Sequence, residues 1–98
     1  MTNYKNDSTN HLANMKKKLN ILITGGAGYL GSMITTELVN LGHNVQVLDK
    51  LEYSKNSLCH LFIYKNFNLV EGNVLNKKLF KKLIKNKDII IPLAALVG

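Results

Sequence analysis

The fold is decided by one stretch of the chain, ILITGGAGYLG at residues 21–31. Its apolar beginning is typical of a buried strand, and the glycines that follow predict a tight turn opening directly into a helix. Such a junction gathers backbone N–H groups and the positive end of a helix dipole around one small space, which suits a pyrophosphate. Gly26, Gly28 and Gly31 satisfy G-x-G-x-x-G, and Gly25 adds the looser G-x-x-G-x-x-G.

Each glycine of this turn has an expected role. Gly25 and Gly26 are expected to let the chain leave the strand at positive φ, where a side chain would be strained. Gly28 leaves room for a diphosphate to touch the backbone, and Gly31 lets the helix pack closely against the sheet. The alternative interpretation is a strand-to-helix turn that is rich in glycine for structural reasons alone.

An acidic residue follows at the distance that a dinucleotide site requires. Asp49 ends the alternating segment 44–49 and lies 49 − 31 = 18 residues after Gly31, close to the ~20 residues expected for a carboxylate that binds the adenosine ribose. It would repel a 2′-phosphate by at most roughly 4 kcal/mol at about 4 Å and an effective dielectric near 20, an upper figure for so exposed a site, and the flexible Lys50 beside it screens little of this. The sequence therefore predicts NAD rather than NADP; a solvated loop aspartate is the alternative.

Length and charge restrict the class of protein. The 98 residues have room for one small domain. All thirteen basic residues behind the net charge of +7 are lysines. Arginine suits phosphates and base edges better, because its planar guanidinium donates paired hydrogen bonds. Five of those lysines lie on one face of the predicted helix 76–86, which is typical of a solvated face. We therefore expect no nucleic-acid partner.

Cysteine content and hydropathy indicate a cytoplasmic protein. Cys59 is the one cysteine, so it forms no internal disulfide, and a half-buried structural thiol is expected. No segment approaches the ~18–20 apolar residues of a transmembrane helix, and the N-terminus lacks the pattern of a signal peptide. We expect no membrane partner and no metal site.

Strands and helices are predicted to alternate after a polar tail. Residues 1–18 lack hydrophobic periodicity and are expected to form a mobile tail, with Met15 as an alternative start. Strands are predicted at 19–24, 44–49, 67–71 and 88–93, and helices at 29–41, 76–86 and, shorter, near 56–63. This alternation indicates an α/β fold over residues 19–98, a partial Rossmann-type parallel sheet of order 3-2-1-4 with flanking helices.

Side-chain positions follow from the same pattern. The inner face of the helix 29–41 is predicted to carry Leu30, Ile34, Leu38 and Leu41. His43, in the turn after this helix, is expected to be exposed. The isoleucines of segment 88–93 suit a strand that is covered on both faces, and Pro92 is tolerable only at the end of that strand.

Four segments together resemble one family. They are TGGAGYLG at 24–31, VLD at 47–49, EGNV at 71–74 and LAA at 93–95. In these segments the chain is similar to the N-terminal half of the NAD-dependent epimerase/dehydratase family, the extended short-chain dehydrogenase/reductases that act on nucleotide sugars. Residues 49–53 resemble dTDP-glucose dehydratases, whereas 89–98 is more similar to epimerase-like proteins. Lyase and isomerase reactions therefore both stay open.

The resemblance implies NAD as cofactor and assigns roles to individual residues. The cofactor-binding positions that it implies are Gly25, Gly28, Tyr29, Leu30, Gly31, Asp49, Lys50, Asn73, Val74, Leu93, Ala94 and Ala95. In this assignment the amides of Tyr29 and Leu30 face the pyrophosphate. Asn73 and Val74 lie beside the adenine, and Asn73 departs from the aspartate that the family usually has there. No role transfers to Pro92, where the family commonly has histidine.

A catalytic motif of the family is missing from these residues. Members transfer a proton with a Tyr-x-x-x-Lys pair, and none of the four tyrosines has lysine four residues later. We therefore expect no catalytic residue and no activity of this chain alone. We expect it to be a fragment of a longer enzyme with a nucleotide-sugar substrate, because strand 88–93 would otherwise be an uncovered apolar edge. The alternative is a stand-alone, non-catalytic dinucleotide-binding or regulatory module, its edge covered in a homodimer.

Overall fold

A computed structural model describes residues 17–51 and 56–93. Their strands form one parallel sheet. Strands β1 to β4 span Asn20–Thr24, Asn44–Asp49, Phe67–Glu71 and Ile89–Pro92, helices α1 and α2 span Tyr29–Asn40 and Lys77–Ile84, and a 3₁₀ turn spans Cys59–Leu61. The strand order is β3-β2-β1-β4, with every neighbouring pair parallel. The predicted Rossmann-type sheet is confirmed, and Pro92 ends its strand as expected. Most of the predicted tail lies outside the described residues.

Two apolar layers cover the two faces of the sheet. One contains Ile21 and Ile23 of β1 and Val47 of β2, packed with residues of α1 and of the 3₁₀ turn. The other contains Leu22 and Leu48, against which α2 packs. Because successive side chains of a strand point to opposite faces, β1 and β2 are buried on both sides. This explains the continuous apolar run of β1 at residues 21–23, whereas the run of β2 is interrupted by the half-buried Gln46.

Helix α1 turns a different face inward from the predicted one. Its buried residues are Gly31, Thr35 and Val39. Ile34 and Leu38 pack against the core as partly buried neighbours, but Leu30 and Leu41 are 57% and 56% exposed, so their predicted inward position is wrong. The cause is Gly31, because a Cβ at this position would meet the backbone of the glycine turn. That contact fixes the rotation of the helix and leaves small residues to face the sheet.

His43 is buried, so its predicted exposure is wrong. The imidazole Nδ1 accepts a hydrogen bond from the backbone N–H of Leu19 at 3.2 Å. The side-chain amide of Asn66 donates to the His43 carbonyl oxygen at 2.8 Å. The residue therefore joins the start of β1 to the segment before β3, and its ring satisfies a backbone amide that precedes β1.

Two further expectations about exposure are wrong. Cys59 is exposed rather than half-buried, because Leu58 and Leu61 are the residues of this turn that enter the core. Ile89 and Ile90 are each 41% exposed, because β4 is an outer strand of the described sheet and no described element covers its far side. The isoleucine run is therefore only partly buried.

Helix α2 has the predicted division between a lysine face and an apolar face. Its lysines are exposed, and Leu79, Phe80, Leu83 and Ile84 belong to the second apolar layer. The Asn76 side chain caps the first turn by accepting the N–H of Leu79 at 3.1 Å. None of the helices in the described part of the chain is long and apolar enough to cross a membrane.

Candidate functional site

The predicted site residues that belong to the described part of the chain lie where the parallel strands end. Thr24 of β1 lies opposite Leu48 of β2 and Pro92 of β4, and Asp49 lies opposite Glu71 of β3. The carboxyl ends of all four strands therefore meet at one edge of the sheet. In open α/β sheets this edge is where ligands bind.

The first two glycines of the turn are required for different reasons. Gly25 has φ of 78°, which L-residues with side chains rarely adopt, and its N–H donates to the Leu48 carbonyl oxygen at 2.9 Å. Gly26 does not have positive φ, so that part of the prediction is wrong. A Cβ on Gly26 would instead lie 2.8 and 2.9 Å from the two methyl carbons of Val47. The turn thus packs directly onto β2.

The other two glycines differ in a way that bears on function. A Cβ on Gly31 would lie 2.6 Å from the Gly25 carbonyl oxygen and 2.7 Å from the Gly26 Cα, so Gly31 permits a close approach of the helix to the glycine turn, and the predicted partner of that approach was the sheet. A Cβ on Gly28 would have only the Gly25 oxygen near it, at 4.0 Å. Its φ of −72° and ψ of 176° suit any residue. Within the described residues, nothing in the fold requires glycine at position 28.

Helix α1 begins beside this open position with uncapped amides. Gly28 is its N-cap residue, no side chain of the described chain caps it, and its first turn contains no acidic residue. The first N–H groups of a helix have no partner within the helix, and they favour an anion. Tyr29 is 85% exposed and Leu30 is 57% exposed. Their amides thus start a helix whose beginning is open to solvent.

Asp49 lies beside the glycine turn and also holds it by a hydrogen bond. Its Oδ2 accepts the N–H of Ala27 at 2.9 Å, and its Oδ1 accepts the N–H of Leu51 at 2.8 Å. Leu51 has φ of 59°, an uncommon conformation for a non-glycine residue, and the bond from its N–H helps to hold it. A carboxylate has about four acceptor positions, so acceptor capacity for further donors remains on half-buried Asp49.

Ser57 also holds the glycine turn, although no sequence motif singled it out. The hydroxyl of Ser57 donates to the carbonyl oxygen of Ala27, 30 residues earlier in the chain. Together with the bond from Asp49, this contact holds Ala27 by its N–H and by its C=O. No local pattern marks Ser57, since the contact depends on the path of the connection that follows β2.

The remaining predicted positions lie around the same edge or outside the described residues. Lys50 is exposed. The side-chain oxygen of Asn73 accepts the N–H of Leu75 at 2.9 Å, so it serves its own turn, and Val74 packs on the second apolar layer. Leu93 is 8% exposed within the first layer. Ala94 and Ala95 lie outside the described residues.

Comparison with known proteins agrees with this geometry. The family model of the NAD dependent epimerase/dehydratase family matches residues 21–98. A UDP-N-acetyl-alpha-D-glucosaminuronate decarboxylase of Bacillus cytotoxicus is 37% identical over 84 residues, which are 86% of this chain and 25% of that protein. The chain thus spans about a quarter of the length of this relative.

Two solved structures have a similar fold. An epimerase from Methanothermobacter thermautotrophicus matches with a TM-score of 0.71 and 30% identity, covering 84% of this chain and 25% of that one. The Bordetella bronchiseptica enzyme WbmG, in complex with NAD, matches with a TM-score of 0.68 and 27% identity, covering 78% and 24%. The chain belongs to the NAD-dependent epimerase/dehydratase family.

Proposed function

We propose that this chain binds NAD at the carboxyl edge of its sheet, as the coenzyme-binding part of an enzyme that modifies nucleotide sugars. The observation that carries the proposal is the open position at Gly28. Gly25, Gly26 and Gly31 are each explained by backbone conformation or packing. Gly28 has neither requirement, and it lies directly before uncapped helical amides. A glycine with no structural requirement there is explained by a ligand that approaches the backbone.

The residues at this edge fit the chemistry of NAD. The amides of Tyr29 and Leu30 would hold the pyrophosphate, since a helix N-terminus is a favourable environment for an anion. The spare acceptor positions of Asp49 would take the hydroxyls of the adenosine ribose. The same negative charge disfavours the 2′-phosphate of NADP.

We assign coenzyme binding to this chain. NAD supplies a hydride acceptor when bound. The described residues would position it, with the turn holding the pyrophosphate and Asp49 holding the ribose. The similarity to a decarboxylase and to an epimerase does not select one reaction of the family.

Titration calorimetry with NAD and with NADP tests the proposal, on the wild type and on Asp49→Asn. Asp88→Asn is the matched control, because Asp88 also accepts a backbone N–H, that of Asn20 at 2.8 Å, but precedes β4 at the opposite edge. We expect the wild type to prefer NAD. Asp49→Asn should weaken NAD binding by about tenfold, equivalent to about 1.4 kcal/mol, and reduce the preference over NADP.

Asp88→Asn should leave both affinities unchanged. Equal or tighter binding of NADP by the wild type would contradict the role of Asp49. A folded wild type that binds neither coenzyme would contradict the proposed function as a whole.

A further inference from the structure

Ala27 is held at both of its backbone polar atoms by side chains from later in the chain. Its N–H donates to Asp49 Oδ2 at 2.9 Å, and its carbonyl oxygen accepts the Ser57 hydroxyl. Ala27 is 1% exposed, so water does not readily replace these partners, and buried backbone groups need partners. The two bonds therefore fix the peptide groups on both sides of Ala27.

The bond from Ser57 acts on the peptide that leads into helix α1. A trans peptide is planar, and its C=O and the following N–H point in opposite directions. A bond that fixes the carbonyl oxygen of Ala27 therefore also fixes the direction of the Gly28 N–H. Gly28 is the N-cap of α1, so its peptide sets the orientation in which the amides of Tyr29 and Leu30 follow.

Ser57 is anchored to the core by its neighbour in the chain, and the 3₁₀ turn that follows also contacts α1 through the Thr36 hydroxyl and His60 Nε2, which lie 2.8 Å apart. Ser57 directly precedes Leu58, which is 1% exposed and belongs to the same apolar layer as Ala27. The Asn56 carbonyl oxygen accepts the N–H of Cys59 at 3.2 Å, which closes the turn that carries both residues. The hydroxyl is thus presented from a fixed segment, and it restrains the turn without occupying the open side at Gly28.

We propose that Ser57 is a positioning residue of the NAD site: it holds the peptide between Ala27 and Gly28 so that the amides at the start of α1 are preorganised for the pyrophosphate. This inference rests on the proposed function and adds a residue that does not itself contact the coenzyme. Preorganisation raises affinity because less ordering has to occur on binding. The effect of Ser57 is therefore confined to the diphosphate part of the ligand.

The test compares NAD, ADP and adenosine as ligands of the wild type, Ser57→Ala and Ser57→Cys. Cysteine keeps the shape of serine but is a weak donor, so it remains informative if the alanine variant does not fold. Ser32→Ala is the matched control. The Ser32 hydroxyl donates to the Tyr29 carbonyl oxygen at 3.0 Å, in the same first turn of α1, but it does not hold Ala27.

We expect Ser57→Ala to weaken NAD and ADP binding by about fivefold, which is the effect expected from losing one hydrogen bond. The losses of affinity in Ser57→Cys should be smaller. Both Ser57 variants should bind adenosine within about twofold of the wild-type affinity, a change smaller than the loss of one hydrogen bond would cause. Ser32→Ala should bind all three ligands within the same limit. Unchanged NAD binding by both Ser57 variants would overturn the inference and leave the proposed function intact. Equal losses for ADP and adenosine would also overturn it, because they would indicate a general structural defect. A wild type without NAD binding would overturn the proposed function itself.

Discussion

Replacement of Gly31 by alanine tests whether the glycine turn and α1 are packed as tightly as the structure indicates. The added Cβ would lie 2.6 Å from the Gly25 oxygen, 2.7 Å from the Gly26 Cα and 2.9 Å from the Gly26 carbonyl carbon. Optimal separations are about 3.5–4.0 Å, so the turn and the helix must separate by roughly 1 Å. All three obstructing atoms are backbone atoms, which have no rotamer that would relieve the contact.

The expected magnitude is the difference of two effects. Overpacking costs about 1–3 kcal/mol, and backbone obstruction places Gly31→Ala at the upper end of that range. Alanine in a helix interior is favoured over glycine by about 1 kcal/mol, which offsets part of the cost. We therefore expect Gly31→Ala to lower the free energy of unfolding by about 2 kcal/mol.

Urea unfolding followed by circular dichroism measures this change, with Gly28→Ala as the matched control. Gly28 has ordinary backbone angles, and its nearest obstructing atom is 4.0 Å from the built Cβ. Its replacement should leave the free energy of unfolding within about 0.5 kcal/mol of the wild type. A Gly31→Ala variant as stable as Gly28→Ala would refute the close packing.

Three smaller predictions concern the stability of the fold, each measured by urea unfolding. The Thr35 hydroxyl is buried and has no hydrogen-bond partner among residues 17–51 and 56–93, so Thr35→Val should stabilise the protein by up to about 1 kcal/mol. Thr36→Val should instead destabilise it by about 1 kcal/mol, because it loses two hydrogen bonds; the reverse order would contradict both assignments. His43→Leu should cost about 1–3 kcal/mol because a backbone amide loses its acceptor, and His43→Asn, which keeps an acceptor near Nδ1, should cost less. Asn76→Ala should cost about 1 kcal/mol through loss of the helix cap; no loss would show that the cap is not needed.

The elements and their order were predictable because each depends on local patterns. Alternating or continuous apolar residues mark the strands, and the G-x-G-x-x-G spacing places the start of α1. The rotation of α1 was not predictable from hydrophobicity, since Leu30 is more hydrophobic than Thr35 but Gly31 decides which face meets the sheet. A close backbone contact outweighs side-chain hydrophobicity there.

Long-range hydrogen bonds account for two further differences between the predictions and the structure, at His43 and at Ser57. The buried position of His43 depends on the backbone N–H of Leu19, 24 residues away. The role of Ser57 depends on a carbonyl oxygen 30 residues away. Neither contact leaves a periodic pattern in the sequence. The role predicted for Asp49 is local by comparison, because the end of β2 is adjacent to the end of β1 in any sheet of this order.

A calorimetric titration of NAD into the wild type and Gly28→Ala decides whether the open position at Gly28 is a coenzyme site. We expect the wild type to bind NAD, and we expect Gly28→Ala to keep its fold but to bind NAD at least about tenfold more weakly, a loss of about 1.4 kcal/mol. The reason is that the new methyl group occupies space which no other part of the described chain requires. Equal NAD binding by the two proteins, or none by a folded wild type, would contradict a coenzyme site at Gly28.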